Sequence, residues 1–108
     1  MPIIDEFLKA MLDKGGSDLH LSISQPVKYR VHGSIVKHDE NIITPEFMRE
    51  MLEEICFPKY RWKNFLENHD LDFAYEIPGL ARFRCNYLYN QEGMAAVMRQ
   101  IPSKILTV

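Results

Sequence analysis

The chain is poor in cysteine and has no large excess of either charge. Cys56 and Cys85 are its only cysteines. One falls in a helical pattern and the other in a strand pattern, so two reduced, packing thiols in a cytosolic protein are expected. A formal net charge of -2 argues against general affinity for nucleic acid, which needs a clear basic excess. No apolar run is long enough to span a membrane, and no segment reads as a signal peptide. The phosphate-cradling pattern G-x-x-x-x-G-K-S/T is missing: Gly15-Gly16 is followed by Ser17-Asp18, with no lysine. His32, His38 and His69 lack metal-ligand spacing with one another or with the cysteines. No Ser/His/Asp or Cys/His set for nucleophilic catalysis stands out, and there is no internal repeat. These absences leave a binding or interaction domain without catalytic machinery of its own.

What is present suits one ordinary domain. The 108 residues are 46% hydrophobic and 26% charged, normal for a globular protein with its own core. Ile3, Ile4, Phe7, Leu8, Met11 and Leu12 lie at helical spacing, with Asp5, Glu6, Lys9 and Asp13 as a charged back and Gly15-Gly16 as the stop. Leu19, Leu21 and Ile23 then alternate with Asp18, His20 and Ser22, the period of a half-buried strand. Val27, Tyr29 and Val31 repeat the pattern. Lys37–Asn41 is polar and reads as a loop. Thr44-Pro45-Glu46 opens a second helix with a capping threonine and a first-turn proline. Pro58 separates it from a third, which ends at Asn68-His69. Leu71, Phe73, Tyr75 and Ile77 mark another strand, and Pro78-Gly79 turns it into a hairpin over residues 81–101. The order α-β-β-α-α-β-β-β, with short turns between strands, predicts an α+β fold: an antiparallel sheet flanked by helices. The domain covers 1–101. Residues 102–108 have no period of their own and read as the start of a linker.

The hairpin carries the informative oddity. From Ala81 onward the bases are Arg82, Arg84, Arg99 and Lys104, against Glu92 alone. Local positive charge on a nearly neutral domain suits a small, placed anion. If Asn90 and Gly93 close a two-residue turn, Arg84 lies directly opposite Arg99. If Gly93 is a bulge, the two face different sides. The bland alternative is a pair of solvated arginines held by acids such as Asp72 or Glu76. Asp18 and His20 share a strand face, but no nucleophile stands near them. Asp18 is expected to bond the turn after Gly16.

Four stretches together carry a resemblance. They are Gly15-Gly16-Ser17-Asp18-Leu19-His20-Leu21-Ser22, Arg30-Val31-His32-Gly33, the block from Pro78 to Asn86, and the close from Val97 to Thr107. In order and spacing they resemble the amino-terminal domain of the type IV pilus retraction ATPases, the twitching-motility branch of the secretion ATPase superfamily.

The resemblance implies a PAS-like α+β module, joined by a linker to a RecA-like ATPase domain that binds ATP and Mg. It implies six subunits in a ring, each amino-terminal domain packing on a neighbour's ATPase domain. It also implies that Arg84 and Arg99, with Arg82 less firmly matched, reach toward nucleotide phosphates. A cytoplasmic place at the pilus base, peripheral to the inner membrane, and a platform protein as partner follow from the same likeness. This chain alone would be no enzyme and would carry no cofactor. Two rivals are a PAS-like sensor with a cavity lined by His20, Tyr29 or Phe73, and a free-standing adaptor for the pilus machinery.

Overall fold

The structure, a computed structural model, describes residues 2–102. Six strands form one antiparallel sheet in the order β3-β2-β1-β6-β5-β4. They are β1 Gly16–Ser22, β2 Pro26–Val31, β3 Ser34–Ile42, β4 Asp70–Ile77, β5 Ala81–Asn90 and β6 Gly93–Ile101. Three helices, α1 Ile3–Asp13, α2 Pro45–Glu54 and α3 Lys59–Asn68, supply the apolar stripes that cover one face of the sheet. This is the α+β antiparallel architecture expected from the periodicities. The expected linker lies, beyond Pro102, outside the described residues.

The covered face follows from the period-two pattern. Leu19, Leu21, Tyr29, Phe83, Cys85, Tyr87, Ala96 and Met98 are buried there. They meet Ile4, Leu8 and Met11 from α1, Met48, Met51 and Leu52 from α2, and Trp62 and Phe65 from α3. Thr44 caps α2 as its sequence dictates, its hydroxyl accepting from the Phe47 amide at 3.1 Å. His69 ends α3 in the left-handed conformation, φ 63°. The Tyr87 hydroxyl donates to the Leu52 carbonyl at 2.8 Å, so a buried polar atom on the sheet satisfies an orphan carbonyl near the end of α2.

Two expectations change. The run 37–41, read as a loop, is part of β3. An edge strand has solvent along its open side, and charged residues there discourage pairing with a second chain. Its polarity therefore reports its place in the sheet, and Lys37, Asp39, Glu40 and Asn41 are exposed. Asp5, read as part of the charged back of α1, is buried. Its carboxylate accepts from the Tyr75 hydroxyl at 2.5 Å, tying the first helix to β4. Burial, then this bond, pushes the Tyr75 phenol up.

Of the three residues expected to line a sensor cavity, His20 and Tyr29 do not share a face of the sheet. His20 is opposite Lys28, whereas Tyr29 is opposite Leu19. His20 and Tyr29 thus stand on opposite faces, and the Tyr29 ring is fully buried with its hydroxyl bonded to His38 Nδ1.

Gly15 and Gly16 have separate tasks. Gly15 takes the positive φ, 75°, that ends α1. Gly16 is a close approach: a Cβ there would lie 2.7 Å from Met11 Cγ and 3.2 Å from the carbonyl oxygens of Met11 and Arg30. Two of those atoms are backbone and cannot swing aside. Gly16→Ala is expected to destabilise the fold by about 1–3 kcal/mol, the usual cost of overpacking, as read by urea denaturation. An unchanged midpoint would mean that α1 and β2 can separate freely.

Candidate functional site

The open face of the sheet carries the charged parity of every strand. Its organising feature is the β5–β6 hairpin. Asn90 pairs with Gly93, and Asn90 Oδ1 accepts from the Glu92 amide at 2.8 Å, an Asx turn that fixes a two-residue loop. The register follows without a slip, and Arg84 is directly opposite Arg99. The alternative with a bulge at Gly93 is excluded. Arg82 shares this face, opposite Glu76 on β4 and Ile101 on β6.

The row continues across the chain's first strand. Arg99 is also opposite Asp18 on β1, and Asp18 is opposite Arg30 on β2. Arg30, Asp18, Arg99 and Arg84 therefore lie side by side on four adjacent strands. At the usual strand spacing the row is about 14 Å long. Three cations share it with one carboxylate. Directly opposed like charges destabilise a sheet unless something anionic lies between them. Asp72, Arg84, Asn86, Val97 and Arg99 line a shallow depression of about 350 Å³ beside it.

The two central arginines are held differently. Arg84 makes a bidentate pair with Asp72, Nη2 to Oδ2 at 2.8 Å and Nε to Oδ1 at 3.3 Å. Both side chains are open to solvent, 69% and 47% exposed, so the pair is weak. The hydrogen bond from Arg84 holds the Asp72 carboxyl below its usual range; burial opposes it and the Arg84 charge reinforces it. This is the acid pairing that the bland alternative foresaw for Arg84. Arg99 instead donates Nε and Nη2 to one oxygen, Asp18 Oδ2, both at 3.2 Å. Asp18 is only 7% exposed while Arg99 is 72% exposed. Burial pushes the Asp18 carboxyl up, but bonds from Ser17 and Arg99, and the Arg99 charge, outweigh it and leave it lowered.

Asp18 thus holds Arg99 as well as bonding locally to Ser17 at 2.6 Å. The β1–β6 pairing that brings them together spans 81 positions and leaves no local trace in the sequence. Arg30 was missed for the same reason: its strand parity was readable, its place in the row was not. Among the described residues no group of three His, Cys, Asp or Glu is placed to hold a metal ion. The exposed guanidinium edges suit phosphate oxygens, which they can meet in a two-pronged fashion.

His20, next along β1 on this face, has its Nε2 buried without a hydrogen-bond partner among the described residues. Burial holds its imidazole below the ordinary 6.5; Asp18 opposes this, and Arg30, Lys28 and Arg99 reinforce it. With the folded value depressed, the unfolded chain takes up the proton first as pH falls. The contribution of neutral His20 is complete above the unfolded value and is lost as pH drops below about 6.5. The melting temperature is expected to fall between about pH 7 and pH 5, and His20→Gln should flatten that slope. Parallel slopes for the two proteins would remove His20 from the acid response.

Comparison with known proteins bears on the whole chain. No family model matches it. The type IV pilus retraction ATPase PilT of Pseudomonas aeruginosa is 38% identical over 105 residues, 97% of this chain and 30% of that protein. The type IV pilus ATPase PilU of the same organism is 31% identical over 96% of this chain and 27% of its own length. A twitching motility protein of Neisseria gonorrhoeae is 34% identical over 73% of this chain and 21% of its own. The chain therefore spans less than a third of the relatives it matches. A crystal structure of the pilus retraction motor PilT with bound ADP superposes with a TM-score of 0.84 at 29% identity, over 98% of this chain and 31% of that one. The ATPase DotB of Legionella pneumophila shares the fold, with a TM-score of 0.80 at 21% identity over 93% of this chain and 28% of its own. Along nearly its whole length, the chain is a homologue of the amino-terminal domain of PilT-type pilus retraction ATPases, within the secretion ATPase superfamily.

Proposed function

We propose that this chain is the non-catalytic amino-terminal domain of a type IV pilus retraction ATPase, complete by Ile101 and followed by a linker to a RecA-like ATPase domain. In that reading six subunits form a ring at the cytoplasmic base of the pilus. The domain builds the boundary between subunits and presents arginines to nucleotide held by an ATPase domain. The observation that carries it is the direct opposition of Arg84 and Arg99 on the open face. Two guanidinium groups on neighbouring strands form a fork for phosphate oxygens, and Arg82 and Arg30 add to the local potential. In this reading ATP would supply the phosphoryl group, and Mg would be held by groups of the ATPase domain. The residues described here bind and orient charge and transfer none.

The test uses the full-length protein. Replacing both arginines, R84A/R99A, is expected to slow ATP hydrolysis while the ring still assembles, as read by phosphate release and light scattering. Hydrolysis at the unaltered rate would overturn the reading. Disassembly of the ring together with loss of hydrolysis would confine the arginines to the subunit boundary and remove the phosphate role.

A further inference from the structure

The open face holds one charged group that exposure does not explain. Asp18 is buried on the side of the sheet that faces solvent, between two arginines on its neighbouring strands. A carboxylate costs several kcal/mol to desolvate unless its oxygens are satisfied. Here they are: Oδ1 accepts from the Ser17 hydroxyl and Oδ2 from two nitrogens of Arg99. The pair is lopsided. The acid is 7% exposed and the base 72% exposed, so the anchored partner is the carboxylate and the presented partner is the guanidinium.

We infer that Asp18 is a positioning residue for Arg99, fixing its guanidinium so that the remaining edge meets an incoming phosphate in one orientation. This rests on the phosphate-facing reading of Arg99. Three features support it. Asp18 engages Nε and Nη2 through a single oxygen, which leaves the Nη1 hydrogens without a protein acceptor among the described residues. Asp18 sits on β1, which is hydrogen-bonded on both sides, to β2 and β6, so the anchor cannot drift with a loop. Asp72 offers the contrast. It holds Arg84 by both oxygens but from an edge strand and in solvent, where a competing anion can displace it. A group held through a rigid partner loses little freedom when it binds, and that pre-organisation is what transition-state stabilisation requires.

Two measurements test it. In this chain, NMR of the arginine Nε–H groups should show Arg99 exchanging with water markedly more slowly than Arg82. Asp18→Asn should bring Arg99 to the Arg82 rate. Equal rates in the unaltered chain would overturn the inference, even if the asparagine variant failed to fold. In the full-length protein, Asp18→Asn should lower kcat about 10-fold, well short of the ~10³-fold or more that an arginine finger can supply, because Arg99 itself remains. KM and the melting temperature should hardly move. The double variant D18N/R99A should be no slower than R99A, because the two residues act as one unit. A slow R99A beside a normal D18N would overturn the role of Asp18 and leave the phosphate reading standing. A normal R99A would overturn both. Multiplying losses in the double variant would place the action of Asp18 elsewhere and overturn the inference as well.

Discussion

Leu21→Asp is expected to abolish the folded state of this domain. Leu21 is 1% exposed on the covered face of β1, which pairs with β2 on one side and β6 on the other. A carboxylate there has no partner and no route to water. Burying an unpaired charge costs at least several kcal/mol, comparable with the roughly 5–15 kcal/mol that separates folded from unfolded domains. The strand cannot turn the residue outward, because a one-residue slip would expose Leu19 along with it. Asp18→Ala, three residues earlier on the opposite face, is expected to keep a cooperative transition. It removes the buried charge itself and releases Arg99 to solvent, a loss of about 1 kcal/mol. Circular dichroism melts decide between the two positions. Equal melting temperatures for Leu21→Asp and the unaltered chain would reverse the assignment of the two faces.

The second large effect separates stability from turnover. In the full-length protein, Arg84→Ala and Arg99→Ala are each expected to cut ATP hydrolysis by ~10-fold or more, since under the proposed phosphate-facing role each would remove a cation aimed at developing phosphate charge. Arg84→Lys should not restore the rate, because lysine keeps the charge and loses the planar fork. In the isolated domain the two alanine variants should part company. Among the described residues Arg84 is paired with solvent-exposed Asp72 alone, and its loss should leave the melting temperature where it was. Arg99 neutralises buried Asp18, and its loss should destabilise by about 1–2 kcal/mol, the penalty for stripping partners from a buried carboxylate. A large drop for Arg84→Ala in the isolated domain would make Arg84 a structural residue. Normal hydrolysis by both full-length variants would end the phosphate-facing role.

Much of this was legible in the sequence because it is local. The alternation of Leu19, Leu21 and Ile23, the capping Thr44 and the Asn90–Gly93 turn are each decided by a few neighbouring residues, and the structure repeats them. What was not legible depends on partners far along the chain. The polarity of 37–41 means loop or edge strand, and only the strand order distinguishes them. Asp5 looks like a surface acid in its helix until Tyr75 arrives from 70 positions away. The arginine pair was visible as an alternative between two registers, and the turn geometry selects one. The Asp18–Arg99 pairing had no signal at all, because strand parity states which face a residue takes and is silent about which strand lies next to it.

The adjacency of β1 and β6 also bears on how the domain is made. The first strand in the chain waits for the last, so the central pairing of the sheet cannot form until nearly the whole domain has been synthesised. At about 5–20 residues per second, the 81 positions between Asp18 and Arg99 take about 4–16 s to emerge. During that interval β1 to β3 can associate as local hairpins, yet the β1 edge that β6 will occupy stays bare, with Leu19 and Leu21 beside it. Such an open edge invites pairing with other nascent chains. Contacts this distant in sequence also slow closure once the chain is free. The polar groups Asp18, His20 and Ser22, which alternate along that strand, give the waiting edge one wet face until its partner arrives.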